Sequence, residues 1–177
     1  MKEIEGMSAE EVAGLVCATL SRVGVTVTLT GGGCAAIWSL GKYTSYDLDF
    51  IEEGPVPRRK IREALRPLGF HEDGRHFVHD RARFFVEFPT GPLMVGAQRV
   101  EQVAVRATPA GELRLLTATD SVKDRLAAYF HWNDGQALKV AVLVAKAQNV
   151  DYNELERWAI SEGHEEKYRV FFRDLSR

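Results

Sequence analysis

The chain has few of the features that mark exported, membrane-spanning or low-complexity proteins. Only two cysteines and six prolines occur among its 177 residues, and the cysteines show neither a paired spacing nor a metal-knuckle pattern. No apolar run approaches the roughly 20 residues that cross a bilayer, and the first residues lack the pattern of a signal peptide. Opposite charges nearly cancel, with a net charge of −2, which excludes a global basic field. We therefore expect a cytoplasmic globular protein without a membrane partner.

Hydrophobic periodicity predicts an α+β region at residues 1–117 and a helical region at 118–177 packed on it. In the first region a capping box at Ser8 starts a helix that ends at Gly24. Further elements are expected as strands at 25–30 and 46–51, helices at 34–40 and 58–68, and short antiparallel strands between 70 and 117. The helical region is expected to form helices at 120–131, 136–148, 151–162 and 164–175.

Two carboxylates with one residue between them stand on the second predicted strand. In Asp47-Leu48-Asp49-Phe50 the acids leave the same face of the strand, roughly 6.6 Å apart at their Cα atoms. Such a like-charge pair is unfavourable unless a cation neutralises it, and hard oxygen donors suit Mg²⁺ or Mn²⁺. The pair predicts a divalent metal site, although a solvated strand end would carry the same residues.

Three consecutive glycines separate the first strand from the following predicted helix. Gly31-Gly32-Gly33 is expected to form a turn whose backbone N–H groups, with the positive end of the helix dipole, hold phosphate. A Gly-rich turn between a strand and a helix is also common without any ligand. Together with the acid pair, the cluster favours phosphoryl or nucleotidyl transfer.

The combination resembles the defining motif of the DNA-polymerase-β-like nucleotidyltransferase superfamily over about the first 90 residues. That motif is a glycine pair, a short helix and an acid–apolar–acid strand, here Gly32-Gly33 and Asp47-Leu48-Asp49. The form Gly32-Gly33-Cys34-Ala35 with Ser45-Tyr46-Asp47-Leu48-Asp49 is most similar to abortive-infection-type toxins. The resemblance implies a nucleotidyltransferase-like core with a mixed sheet and, as in toxin–antitoxin systems, a partner protein.

The resemblance also implies a third carboxylate from a later strand beside the acid pair. Glu87 lies in the strand pattern Arg83-Phe84-Phe85-Val86-Glu87-Phe88, whereas the competing Asp80 falls in a polar turn. The family position usually holds aspartate. Cys34 stands where a hydroxyl often follows the glycines, and a thiol is the weaker hydrogen-bond donor.

Basic residues supply further candidates. The resemblance implies that a basic residue near the start of the helix at 120–131 reaches the triphosphate, and Lys123 is the candidate. Arg125 and His131 match a loose ribonuclease motif of helical domains, which would leave the acids and glycines unexplained. The helix at 58–68 is basic on one face, which either steers RNA or is an ordinary solvated face.

The preferred hypothesis is a metal-dependent nucleotidyltransferase. Gly32, Gly33, Ser45 and Lys123 would bind an NTP, and Asp47, Asp49 and Glu87 would hold Mg²⁺ or Mn²⁺, with Glu87 accepting the proton of the attacking hydroxyl. NMP would pass to an acceptor, which is a tRNA end, a protein side chain or a small hydroxylated molecule. The alternative is an inactive nucleotide-binding or protein-interaction module of a two-component system.

Overall fold

The structure is a computed structural model that describes residues 3–177, so Met1 and Lys2 of the predicted region 1–117 lie outside the described residues. Its helices are α1 (Ala9–Arg22), α2 (Gly31–Trp38), α3 (Arg58–Leu65), α4 (Ala118–Trp132), α5 (Gly135–Ala147), α6 (Tyr152–Ser161) and α7 (Glu165–Leu175). Its strands are β1 (Val27–Thr30), β2 (Asp47–Glu52), β3 (His71–Asp73), β4 (His76–Val78), β5 (Phe85–Glu87), β6 (Met94–Val95), β7 (Gln98–Arg99), β8 (Val103–Thr108) and β9 (Gly111–Leu116).

Within residues 3–177, seven strands form one mixed sheet in the order β3-β4-β5-β2-β1-β9-β8, and β6 pairs with β7 in a separate hairpin. Strands β2 and β5 pair in parallel, as do β1 and β9, while the other pairings are antiparallel. The α+β class with a mixed sheet and flanking helices is confirmed. The expectation of antiparallel strands throughout 70–117 is wrong at β5 and β9, because each also pairs in parallel with an early strand.

The two faces of the sheet differ in character. Leu29, Leu48, Phe50, Val86 and Leu115 are fully buried on one face, and α1 packs against β9 and β1. Helix α1 begins where Ser8 predicts, because its Oγ accepts the Glu11 N–H while the Glu11 carboxylate accepts the Ser8 N–H. Since side chains alternate along a strand, the residues between these apolar positions project to the other face.

The helical region contacts the sheet region closely. Thr117 is the N-cap of α4, and its side chain accepts the Asp120 N–H. Trp38 Nε1 donates to the Leu116 carbonyl at 2.9 Å, and Gln148 Nε2 donates to the Trp38 carbonyl at 2.7 Å. The division of the chain at Thr117 into two regions stays a prediction. None of the helices between residues 3 and 177 has both the length and the apolar character needed to cross a bilayer.

Candidate active site

The parallel pairing of β2 with β5 brings the three predicted carboxylates to one face of the sheet. Asp49 stands directly opposite Glu87, and Leu48 opposite Val86. Because Leu48 and Val86 are fully buried, Asp47, Asp49 and Glu87 project to the opposite face. Asp80 lies outside the strands, its side chain is 89% exposed, and it stands 4.0 Å from the His71 imidazole. The structure therefore groups Glu87, and not Asp80, with the acid pair.

Asp49 is at the electrostatic centre of this group. Burial, and after it the negative charges of Glu87 and Asp47, together raise the pKa of its carboxyl to about 6. Arg125 opposes this shift, while Asp124 adds to it. Both belong to α4, so the helical region contributes charge to the site. A partly buried carboxylate among like charges is stabilised by a cation, and carboxylate oxygens are the donors that Mg²⁺ and Mn²⁺ prefer. The donor set therefore fits a divalent ion.

The carboxylate of Glu87 is held by two basic side chains of the neighbouring hairpin. Arg75 Nε lies 3.3 Å from its Oε1 and His76 Nε2 lies 3.3 Å from its Oε2, and the Glu87 side chain is only 18% exposed. Within residues 3–177 no three acidic, histidine or cysteine side chains are gathered closely enough to hold a metal ion. Glu87 would have to exchange these partners to join Asp47 and Asp49 around one.

The glycine cluster forms the first turn of α2, not a separate loop before the helix as the sequence predicted. A Cβ atom at Gly31, where φ is +65°, would lie 2.5 Å from Asp49 Oδ2. At Gly32 it would lie 2.9 Å from Ser45 Oγ, and at Gly33 it would lie 2.8 Å from the Asp47 carbonyl oxygen. The helix start thus lies directly on β2, with Gly32 and Ser45 at its partly exposed side. The space that Gly33 leaves open is filled by β2.

A Cβ atom at Gly33 would meet the backbone of β2, whereas one at Gly32 would meet a side chain that can rotate. Substitution by alanine should therefore have different effects on stability at the two positions. Gly33→Ala is expected to lower the free energy of unfolding by about 1–3 kcal/mol, since β2 must shift to admit the methyl group. Gly32→Ala should change it by less than about 1 kcal/mol. Urea unfolding of both variants measures the difference, and equal losses would mean that α2 does not pack on β2 as closely as described.

Lys123 and Arg125, two residues apart on α4, have different partners. The Lys123 side chain is 1% exposed, and its ammonium donates to Asp120 Oδ1 at 3.1 Å, to Gln98 Oε1 at 3.2 Å and to the Glu154 carboxylate. It contacts none of the three clustered carboxylates, since these partners lie on α4, β7 and α6. Arg125 pairs with Asp124 at 2.7 Å and lies close enough to Asp49 to act on its pKa.

The spacing of residues along α4 could have predicted the different surroundings of Lys123 and Arg125. Residues two apart on a helix point about 200° apart, so Lys123 and Arg125 cannot share a face. Lys123 lies on the stripe of Leu126, Ala127 and Phe130, which are all buried, and that spacing predicts burial. Of the two basic residues, Arg125 is the one whose charge acts on Asp49.

Two other sequence candidates lie elsewhere. Cys34 is fully buried, its Sγ lies 3.8 Å from the Leu116 carbonyl oxygen, and burial raises the pKa of its thiol to about 12. The residue is therefore part of the core and does not face a phosphate. His131 lies 3.5 Å from Glu162, the C-cap of α6, while Arg125 pairs with Asp124. The two residues of the ribonuclease motif therefore have different partners.

Comparison with known proteins supports the fold. No protein-family model and no curated protein matches the chain. Among solved structures, a nucleotidyltransferase-like antigenic protein from Paracoccidioides brasiliensis matches with a TM-score of 0.57 at 12% identity, covering 78% of this chain and 75% of that one. Two structures of the antibiotic-resistance factor ANT(2″)-Ia, one of them in complex with adenylyl-2″-tobramycin, match with TM-scores of 0.49 and 0.48 at 13% and 12% identity. They cover 95% and 94% of this chain and 94% and 97% of theirs. The chain has a nucleotidyltransferase-like fold.

Proposed function

We propose that the protein is a metal-dependent nucleotidyltransferase that transfers NMP from an NTP to an acceptor hydroxyl. The observation that carries this proposal is the register of β2 with β5, which sets Asp49 opposite Glu87 beside the glycine start of α2. The raised pKa of Asp49 supports it, because the carboxyl is partly buried beside the negative charges of Glu87 and Asp47, and a divalent cation would stabilise its charged form. The nucleotidyltransferase-like fold is consistent with the same reaction.

The nucleotide would bind at the start of α2. The first-turn N–H groups of that helix, with the Ser45 hydroxyl beside Gly32, would bind phosphate oxygens. Arg125 takes the role that the resemblance gave to Lys123, because its charge acts on Asp49 while the Lys123 ammonium is buried among carboxylates. A guanidinium binds phosphate through two parallel hydrogen bonds. Gly33 shapes this surface only by letting α2 approach β2.

Asp47, Asp49 and Glu87 would hold Mg²⁺ or Mn²⁺, which supplies positive charge to the phosphates and lowers the pKa of the acceptor hydroxyl. Glu87 accepts the hydroxyl proton. The acceptor oxygen forms a bond to the α-phosphorus, the bond between that phosphorus and the bridging oxygen breaks, and pyrophosphate leaves with the electron pair. Arg125 neutralises the charge that develops on the leaving group. Because both cysteines are free thiols, we place this reaction in the reducing cytoplasm.

The proposal is tested by pyrophosphate release. Purified protein incubated with each of the four NTPs, Mg²⁺ or Mn²⁺ and a total cell extract as acceptor source is expected to release pyrophosphate and to label one acceptor class. Chelation of the metal should stop both signals. Release that persists in chelator, or no release with any NTP, contradicts the proposal.

Substitutions in α4 separate nucleotide binding from stability. Arg125→Gln is expected to raise the Kd for NTP about tenfold, because it removes a charged phosphate contact. Lys123→Met should leave that Kd within about twofold and instead lower the free energy of unfolding by about 1–3 kcal/mol, since Asp120 and Glu154 lose their buried partner. Calorimetric titration and urea unfolding measure the two effects. The reverse pattern would restore Lys123 as the phosphate ligand.

One observation favours a second candidate, the inactive nucleotide-binding module. Both oxygens of Glu87 are engaged by Arg75 and His76, and a carboxylate so held is a poor metal ligand. In such a module the nucleotide would bind at α2 without turnover. Nucleotide binding by the wild-type protein without pyrophosphate release would favour this candidate.

A further inference from the structure

An indole side chain stands in solvent at the end of α4. Trp132 is 77% exposed, the largest exposure among the large apolar side chains of residues 3–177. The other two tryptophans are packed into the fold, since Trp158 is 3% exposed and Trp38 donates to the Leu116 carbonyl. An exposed indole contributes little to folding, but its flat apolar face is free to bind a ring from a ligand. Its position on α4 indicates which ligand.

Trp132 lies on the face of α4 that carries Arg125. Seven residues make nearly two turns, so the two side chains leave the helix within about 20° of each other, about 10.5 Å apart along its axis. Asp124 and Arg125 both act electrostatically on Asp49. The part of α4 that influences the carboxylates therefore continues along one face to Trp132. The opposite face of the helix is buried at Leu126, Ala127 and Phe130.

A small residue separates the guanidinium from the indole on this face. Ala128 stands one turn after Arg125 and one turn before Trp132, and it is half-buried. Because its side chain is a single methyl group, space remains above the helix between the two larger side chains. A ligand lying in this space would have a charged group at Arg125 and a flat ring on Trp132. A nucleoside triphosphate has these two parts at its two ends.

The helix end that carries Trp132 is anchored to α6 and α7. Lys167 of α7 donates to the side chain of Asn133, the C-cap of α4, at 2.6 Å. The His131 ring lies 5.9 Å from the indole in an edge-to-face arrangement, and His131 Nε2 lies 3.5 Å from the carboxylate of Glu162. The indole is therefore placed before a ligand arrives, which lowers the entropic cost of stacking on it.

From this arrangement we infer that Trp132 stacks on the base of the NTP, an inference that rests on the proposed function. Arg125, on the same face of α4, is the residue to which we assign phosphate binding, so one nucleotide would contact both. A two-ring purine covers more of the indole than a one-ring pyrimidine does, and stacking grows with the covered area. Trp132 therefore gives the site a preference for ATP and GTP over CTP and UTP.

Calorimetric titration with Mg²⁺ and three probes tests the inference: the α,β-methylene analogues of ATP and CTP, and inorganic triphosphate. Wild-type protein is expected to bind the ATP analogue more tightly than the CTP analogue. Trp132→Ala should raise the Kd of the ATP analogue about tenfold and reduce the preference for purine, because one stacked base is lost. The Kd of inorganic triphosphate should stay within about twofold, since that probe has no base to stack.

Three further variants serve as controls. Trp132→Phe keeps an aromatic face and should restore most of the affinity for the ATP analogue. Arg125→Gln should weaken inorganic triphosphate and the ATP analogue alike, because both carry the phosphates. Phe172→Ala removes another exposed ring, 50% exposed on α7, and should leave every Kd unchanged.

Three results would overturn the inference. One is an unchanged Kd of the ATP analogue in Trp132→Ala. Another is an equal loss of affinity for inorganic triphosphate, which would trace the effect to a disturbed end of α4. The third is a changed oligomeric state in size-exclusion chromatography without a changed Kd, which would assign the indole to a protein contact.

Turnover distinguishes this inference from the proposed function. Binding of the ATP analogue with the expected dependence on Trp132, but no pyrophosphate release from any NTP, contradicts the transferase and leaves the base site. Pyrophosphate release with a KM for ATP that Trp132→Ala does not change contradicts the base site and leaves the transferase.

Discussion

Asp49→Asn is expected to reduce pyrophosphate release by about a thousandfold or more, the largest activity loss among the substitutions considered. The negative charges of Asp47, Glu87 and Asp124 all act on the carboxylate of Asp49. An amide in its place cannot supply the negative charge that holds a divalent ion. Asp174→Asn on α7 serves as the matched control and should retain full activity. Calorimetric titration with Mn²⁺ should show lost binding in the first variant only. Turnover that survives Asp49→Asn would contradict metal binding at this site.

Asp49→Asn should raise stability in metal-free buffer, although it lowers activity. The pKa of Asp49 is raised from 3.8 to about 6 by burial and by its acidic neighbours, so the folded state binds the proton more tightly than the unfolded state. The contribution of Asp49 to wild-type stability should therefore fall as the pH rises from about 4 to about 6. Asp49→Asn removes this dependence and should raise the free energy of unfolding at pH 7 by about 1–2 kcal/mol. Urea midpoints at pH 4 and pH 7 in chelator measure both changes.

Glu87→Gln should lower the rate of the chemical step by at least about a hundredfold while leaving the Kd for NTP nearly unchanged, because a general base typically contributes 10²–10⁴. In the proposed site, Asp47 and Asp49 would still hold the metal and, through it, the nucleotide. Asp80→Asn should have little effect, since Asp80 is exposed and lies outside the strand that pairs with β2. Single-turnover measurement of pyrophosphate release is needed, because slow product release could hide the loss.

The control for Glu87 is the hairpin that carries its ion-pair neighbours. Glutamine keeps the length of the side chain and one oxygen near Arg75 and His76, so the hairpin should stay in place and the unfolding free energy should change little. If Asp80→Asn inactivates the protein and Glu87→Gln does not, the proton acceptor comes from the hairpin turn. If neither variant loses activity, the inactive module gains support.

The acid–apolar–acid pattern was sufficient to predict the strand and the shared face of Asp47 and Asp49. Buried Leu48 and Phe50 confirm the alternation that the sequence showed. The grouping of Glu87 with them depended on the family resemblance and on a short strand pattern. The parallel register of β2 with β5 is a long-range pairing, and local periodicity contains no information about which strands become neighbours.

Sequence reasoning was less successful where a local choice depends on packing. The glycines were expected in a turn, but Thr30 caps the helix and the glycines form its first turn because β2 passes so close. Lys123 was preferred over Arg125 because the sequence alone does not show that the Lys123 ammonium is buried. That burial becomes favourable only through its contacts with Asp120 and Glu154 in the folded structure.

The candidate site combines the paired strands β2 and β5 with Asp124 and Arg125 of α4. This arrangement has a consequence for synthesis of the chain. Asp47 and Asp49 emerge from the ribosome early, but the side chains that surround them belong to β5 and to a helix that begins at Ala118. A nascent or truncated chain that ends before α4 would contain both aspartates without Arg125, to which we assign phosphate binding. The proposed activity would therefore arise only after most of the chain has been translated and folded.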